Sequence, residues 1–189
     1  VRGTLGNGAH CPTPWDTYLA CEARWSGQFV NRSRSLPLEQ SRYGIATSAG
    51  DLRREVAGGP ARERFDATPI DGADATQDYR NEPNGFGWVV EIGPFSPRSP
   101  PRKLTALGRL AHRGARFAPV TAGRPIVLYL GDDAQDEHLY KFVTRETYRP
   151  GRTSGRCLDE GTLYAARFGD DGRGEWLPLD HSDAAFRAA

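Results

Sequence analysis

Apolar and polar positions alternate in short runs separated by turn-forming residues. Residues 126–144, IVLYLGDDAQDEHLYKFVT, read as a β-branched apolar run, an acidic turn and a second alternating run, which predicts a β-hairpin. TPWDTYLACEARW alternates as well. Trp15, Thr17, Leu19 and Cys21 fall on one face, and Pro14, Asp16, Tyr18, Ala20 and Glu22 on the other. FGWVVEIGPFSP is a strand stopped by Gly93 and Pro94. KLTALGRLAHRGARFAP predicts another strand running into a turn, with His112 and Arg113 just past its end. GTLYAARF and WLPLD are strands on either side of the turn GDDGRGE. The opening, with Gly3, Gly6 and Gly8, reads as flexible and turn-rich.

Residues 26–85 hold no sustained period. Short helices are expected at 51–56 and 61–65, and a helix start at Ser182 or Asp183. A stretch this long without clear elements is usually functional, decorating or mobile. Its arginines read as solvated faces. Several strands joined by Gly/Pro-rich turns, with no βαβ alternation, predict an all-β fold. Strand pairs spaced by long loops fit β-propeller blades better than a compact sandwich, although no repeat at 40–50 residues is visible.

Composition narrows the function classes. The 189 residues carry 25 Lys+Arg against 24 Asp+Glu, so no basic excess points to nucleic acid. No apolar run approaches the roughly 20 residues of a membrane span. No signal peptide is visible, and the chain opens on Val1, which leaves export open. Cys11, Cys21 and Cys157 are too few for a disulfide framework, though a Cys11–Cys157 or Cys11–Cys21 bridge is conceivable.

Candidate chemistry centres on carboxylates. The hairpin turn holds Asp132, Asp133, Asp136 and Glu137 within six residues, with no basic residue among them. Such a cluster either binds a hard cation such as Ca²⁺ or is a solvated loop. Its spacing is not that of a calcium-binding EF-hand. Glu91 stands in an apolar strand, where a buried charge needs a partner or a metal, unless an edge position leaves it in water. Cys21 reads either as a small buried hydrophobe or as a thiolate metal ligand with Glu22 beside it.

Taken together, GNGAHCPTPWDTYLACEARW, FGWVVEIGPFSP, TALGRLAHRGA, VLYLGDDAQDEHLYKFV and GTLYAARFGDDGRGEWLPL resemble, in the same order, the PhoX-type alkaline phosphatases. The resemblance covers most of the chain except 26–80. It implies a six-bladed β-propeller, exported by the twin-arginine route and so periplasmic or secreted. It also implies an iron and calcium cluster that hydrolyses phosphomonoesters. On that resemblance Cys21 and Glu22 would hold iron, Asp132, Asp133 and Glu137 calcium, and Glu91 is a further candidate ligand; Asp159 also matches. The departures are Gly8 for a family Cys, His10 and Cys11 for two Gly, Asp16 for a third Gly, Ala23 for a second Glu, and Arg113 for a Glu that resembles a metal ligand. Arg113 is expected to pair with Glu22 or Glu91 in the space where a metal would sit. At about 40–50 residues per blade, residues 1–189 would form three or four blades of one propeller domain, with an irregular insertion at about 26–85 and missing blades as partner. The expected function is a metal-dependent phosphoric monoester hydrolase, with calcium and iron as cofactors and a phosphomonoester or phosphate as ligand. The alternatives are a non-catalytic, calcium-stabilised scaffold or binding module, and an inactive fragment of a longer phosphatase.

Overall fold

The computed structural model describes residues 3–48, 60–96 and 98–180. It is mostly β, as the alternation predicts, and is built from two antiparallel sheets. The first has the order β1 (Asn7–Pro12), β2 (Tyr18–Glu22), β3 (Val89–Ile92), β4 (Arg102–Lys103). The second runs β5 (His112–Phe117), β6 (Pro125–Asp132), β7 (Leu139–Thr147), β8 (Gly161–Phe168), β9 (Gly174–Pro178). Two sheets therefore stand among the described residues where three or four blades were expected. The helices expected at 51–56 and after Ser182 lie outside the described residues. The one expected at 61–65 is a single turn, α2 (Pro60–Glu63), following the equally short α1 (Leu38–Ser41).

The predicted hairpin is β6–β7, with Leu128 opposite Phe142 and Leu130 opposite Tyr140. Its alternation resolves cleanly. Ile126, Leu128, Leu130, Tyr140 and Phe142 are buried, while Tyr129 and Lys141 face outward. On the outer face the Lys141 ammonium lies 4.7 Å from the Tyr164 ring centroid and 4.6 Å from that of Trp176, a cation held between two aromatic faces. The inner face packs with Leu19, Cys21, Val89, Leu104 and Leu107 into one core, and β5 packs against β1 and β2.

Two local readings are corrected. The glycine-rich opening turns at Gly3 and Gly6 but continues as a strand: Asn7–Pro12 pairs with β2, because the edge of β2 supplies the ladder partners that the sequence does not announce. His112 and Arg113 begin a strand instead of following one. The preceding TALG forms a 3-10 turn at Thr105–Leu107, and Gly108 at φ 82° turns the chain into β5. All three cysteines are free and buried.

The irregular segment has a core of its own. Trp25, Phe29, Ile45, Phe65 and Phe86 form an aromatic cluster, with Leu5 and Tyr43 against it. Phe29 lies 5.5 Å from Phe65 and 5.6 Å from Phe86, ring centroid to centroid. Burying such rings contributes about 1.5–3 kcal/mol each, enough to order a segment with almost no ladder hydrogen bonds.

Asp16 turns the chain between β1 and β2 at φ 62°, a left-handed conformation that Asp tolerates and β-branched residues do not. Asp16→Val is expected to lower urea-unfolding stability by about 1–2 kcal/mol, whereas Asp16→Gly should leave it unchanged or slightly higher. Equal stability of the two variants would contradict the assignment.

Candidate functional site

Glu22 ends β2 with no exposure to solvent. Its Oε1 accepts from the Leu5 N–H at 3.0 Å and the Lys103 ammonium at 2.7 Å. Its Oε2 accepts from the successive N–H groups of Gly87 at 2.9 Å and Trp88 at 3.0 Å. Gly87 sits at φ 90°, which turns these two donors toward one oxygen. Four donors from three separate segments thus saturate a carboxylate that the sequence marked as a ligand.

The other candidate carboxylates follow the same rule. Glu91 is buried beneath Trp15, whose indole N–H donates to Oε1 at 2.9 Å, alongside the Thr17 hydroxyl at 2.7 Å. Arg102 Nε lies 3.6 Å from Oε2, and its Nη2 donates to Asp159 at 2.8 Å, so one guanidinium serves both acids. Arg42 grips Glu137 with two parallel hydrogen bonds of 2.5 and 2.6 Å, which hold that carboxyl below its usual range. Asp133 has Arg113 at 3.6 Å, both about half exposed, an arrangement worth at most about 1 kcal/mol. Asp132 has no lysine or arginine paired with it among the described residues. Its Oδ1 accepts from Ala111 N at 3.1 Å and Ala134 N at 3.0 Å, and burial pushes its carboxyl upward. Asp136 occupies the left-handed region at φ 60° and is exposed.

Cys21 is fully buried in the shared core, and burial, with Cys11 nearby, pushes its thiol up to about 12. A protonated thiol in apolar surroundings is a packing residue in this state, not a poised thiolate. Among the described residues, no group of three or more His, Cys, Asp or Glu side chains comes together in a way that could hold a metal ion. The donors among the described residues, as arranged here, do not form an iron or calcium centre.

Three departures from the family pattern meet in space. A Cβ added at Gly8 would lie 2.7 Å from Ala23 Cβ and 3.5 Å from the Arg113 guanidinium. Small residues at 8 and 23 leave room beside the arginine, which reaches Asp133 and not the expected Glu22 or Glu91. Those two acids are already engaged by Lys103 and Arg102. Next to this cluster a cleft of about 340 Å³ opens between the end of β2 and the β6–β7 turn, lined in part by Ala23, Arg24, Ser26, Tyr43, Ala111 and Asp133. Arg24 is exposed at its rim, and no carboxylate among the described residues pairs with it.

The family model for alkaline phosphatase PhoX matches residues 1–189. The chain belongs to the PhoX alkaline phosphatase family. Its structure is also similar to that of Pseudomonas fluorescens PhoX in complex with vanadate, a transition state analogue, with a TM-score of 0.76 and 39% identity over 94% of this chain. The match takes in 30% of that PhoX chain, so this protein spans under a third of the length of its solved relative. None of the curated proteins matches. No helix among the described residues is long and apolar enough to cross a membrane. The PhoX resemblance was legible in the motifs. The cations Arg42, Arg102 and Lys103 were not singled out, because nothing in their local sequence says which acid they will meet.

Removing Lys103 would leave Glu22 charged, buried and short of a donor. Lys103→Met is expected to cost about 3–5 kcal/mol in urea unfolding, with a substantial part regained in the double variant Glu22→Gln/Lys103→Met; additive losses would show that the two side chains are not coupled.

His112 is fully buried, its Nε2 3.0 Å from the Gly108 carbonyl and its Nδ1 without a partner. Burial pushes its pKa from 6.5 down to about 4. The folded state therefore favours the neutral ring, and the unfolded chain binds the extra proton between these values. The resulting stability is complete above pH 6.5 and is lost as pH falls toward 4, by about 3 kcal/mol in all. In His112→Leu, the decline in unfolding free energy between pH 6.5 and 5 should be visibly shallower than in the wild type.

Proposed function

We propose that this chain carries the phosphate-binding scaffold of a phosphoric monoester hydrolase, its two sheets being blades of a β-propeller in a protein exported to the periplasm or secreted. The observation that carries this reading is the 39% identity, over 94% of the chain, to a PhoX that binds vanadate. Vanadate mimics a phosphoryl group in transfer, so the shared chemistry is recognition of a phosphate ester. In this chain the phosphate would lie in the cleft at the end of β2. Arg24 stands there without a carboxylate partner among the described residues, and Arg113 is held only loosely by Asp133. Guanidinium groups suit phosphate oxygens because they donate two parallel hydrogen bonds.

The calcium and iron that the resemblance implies find no fitting donor set among the described residues, and no step is derived through them. A second reading, binding without turnover, is favoured by one specific observation. Glu22, Glu91, Asp133 and Glu137 each already have a cationic side chain beside them. On this reading the 189 residues bind phosphate, and hydrolysis needs residues that a full-length relative would supply.

Calorimetric titration with vanadate and with inorganic phosphate tests the proposal, beside hydrolysis of p-nitrophenyl phosphate with and without added calcium and iron. Saturable vanadate binding is expected, weakened about tenfold or more in Arg24→Ala by the loss of a charge-assisted hydrogen bond. Turnover by the chain alone and any calcium-dependent rise in melting temperature should both be absent. Vanadate binding indifferent to Arg24→Ala would remove the cleft from the proposal. Brisk turnover with stoichiometric iron would overturn the reading of the carboxylates.

A further inference from the structure

The cleft at the end of β2 contains a charge that opposes its proposed ligand. Asp133 lines the cleft together with Arg24. It follows directly on β6, and its N–H donates to the Ala111 carbonyl at 2.9 Å. That backbone bond places the residue whatever charge its side chain carries. The carboxylate is about half exposed, with the Arg113 guanidinium 3.6 Å away. This separation is too long for a hydrogen bond. The pair is therefore an attraction between charges, unlike the two short parallel bonds from Arg42 to Glu137.

The charges at the cleft can be counted. Arg24 and Arg113 bring two positive charges and Asp133 one negative, which leaves one positive charge. The groups behind them are engaged elsewhere. Arg42 cancels Glu137, and Lys103 cancels Glu22. Asp132 accepts from the N–H groups of Ala111 and Ala134 and from the Tyr43 hydroxyl. His112 is buried and favours its neutral ring.

A phosphomonoester loses its second proton at a pKa of about 6, so it carries close to two negative charges above neutral pH. A phosphodiester carries one. Two unopposed guanidinium groups match the double charge. The same two groups beside a carboxylate match the single charge. Each unit of ligand charge is repelled by Asp133. At a separation of about 6 Å in surroundings close to water, that repulsion is worth about threefold in affinity per ligand charge, and so about tenfold for a dianion.

We propose that Asp133 is the charge selector of this cleft. By opposing Arg113 it weakens the hold on the doubly charged group of a monoester and narrows its advantage over the singly charged group of a phosphodiester. The ligands of the cleft then include diesters as well as monoesters. This inference rests on the phosphate reading of the cleft and adds the residue that sets which phosphate ester it favours.

The test is calorimetric titration of the whole chain with methyl phosphate and with dimethyl phosphate, at low salt and about pH 8, where the first carries two charges and the second one. In Asp133→Asn, affinity should rise about tenfold for methyl phosphate and about threefold for dimethyl phosphate, with an unchanged melting temperature. Asp136→Asn is the control. It removes the same charge from the same turn at an exposed position outside the cleft lining, and Asn tolerates the left-handed backbone there. It should change both affinities by less than about twofold. Equal gains for the two ligands in Asp133→Asn overturn the selector, as does an Asp136→Asn effect of the same size. Binding that weakens in Arg24→Ala but is indifferent to Asp133→Asn overturns the selector alone and leaves the phosphate cleft standing. If neither ester nor vanadate binds the wild type or Asp133→Asn, the phosphate reading fails and the selector with it.

Discussion

The rest of the first sheet depends on one buried charge. Glu22 has no contact with solvent, so each of its oxygens needs donors from the protein. It obtains them from the segment before β1, from the backbone that leads into β3, and from the side chain that ends β4. Those elements must converge at this one residue for both carboxylate oxygens to find donors. The requirement fixes the approach of β3 to β2, where the Glu22 N–H also donates to the Trp88 carbonyl. The next link is Gly87, whose carbonyl accepts from Leu110 N, while the Leu110 carbonyl accepts from the Trp25 indole. In this way the carboxylate is tied to the aromatic cluster that orders the irregular segment.

The same physics gives the site its character. Glu22, Glu91, Asp133 and Glu137 are potential metal ligands, yet each lies beside a lysine or arginine. A cationic side chain and a metal ion are alternative ways to balance the charge of a carboxylate inside a protein. Arg113 illustrates the exchange. It lies beside Gly8, which has no side chain, and near Ala23, which has only a methyl, and it reaches Asp133. Three of the departures from the PhoX pattern, at Gly8, Ala23 and Arg113, are thus neighbours in space. Ala23, and the Asp133 that Arg113 reaches, line the cleft in which Arg24 is exposed, next to the proposed phosphate position.

Much of the fold was legible in the sequence. The apolar run IVLYL and the alternating HLYKFVT, with the acidic turn between them, determined the β6–β7 hairpin, while the packing of the fold decided which of its faces is buried. GTLYAARF and the strand around Val90 were equally plain, and five motifs in order determined the family. Alternation and turn residues are local signals that act through the backbone of the segment bearing them. Tertiary structure decided what lacks a local cause. Asn7–Pro12 is a strand because β2 offers it an edge, despite the glycines around it. Ala20 and Glu22 point away from Leu19 and Cys21 as predicted, yet both faces of β2 are buried, since a second set of segments covers it. The acidic turn looked free of cations because no basic residue lies within it. Arg42, 95 positions from Glu137, arrives only once the chain has folded. Charge acts through space, and a sequence orders residues only along the chain; which acids are paired, and so which could receive a metal, is set by the fold.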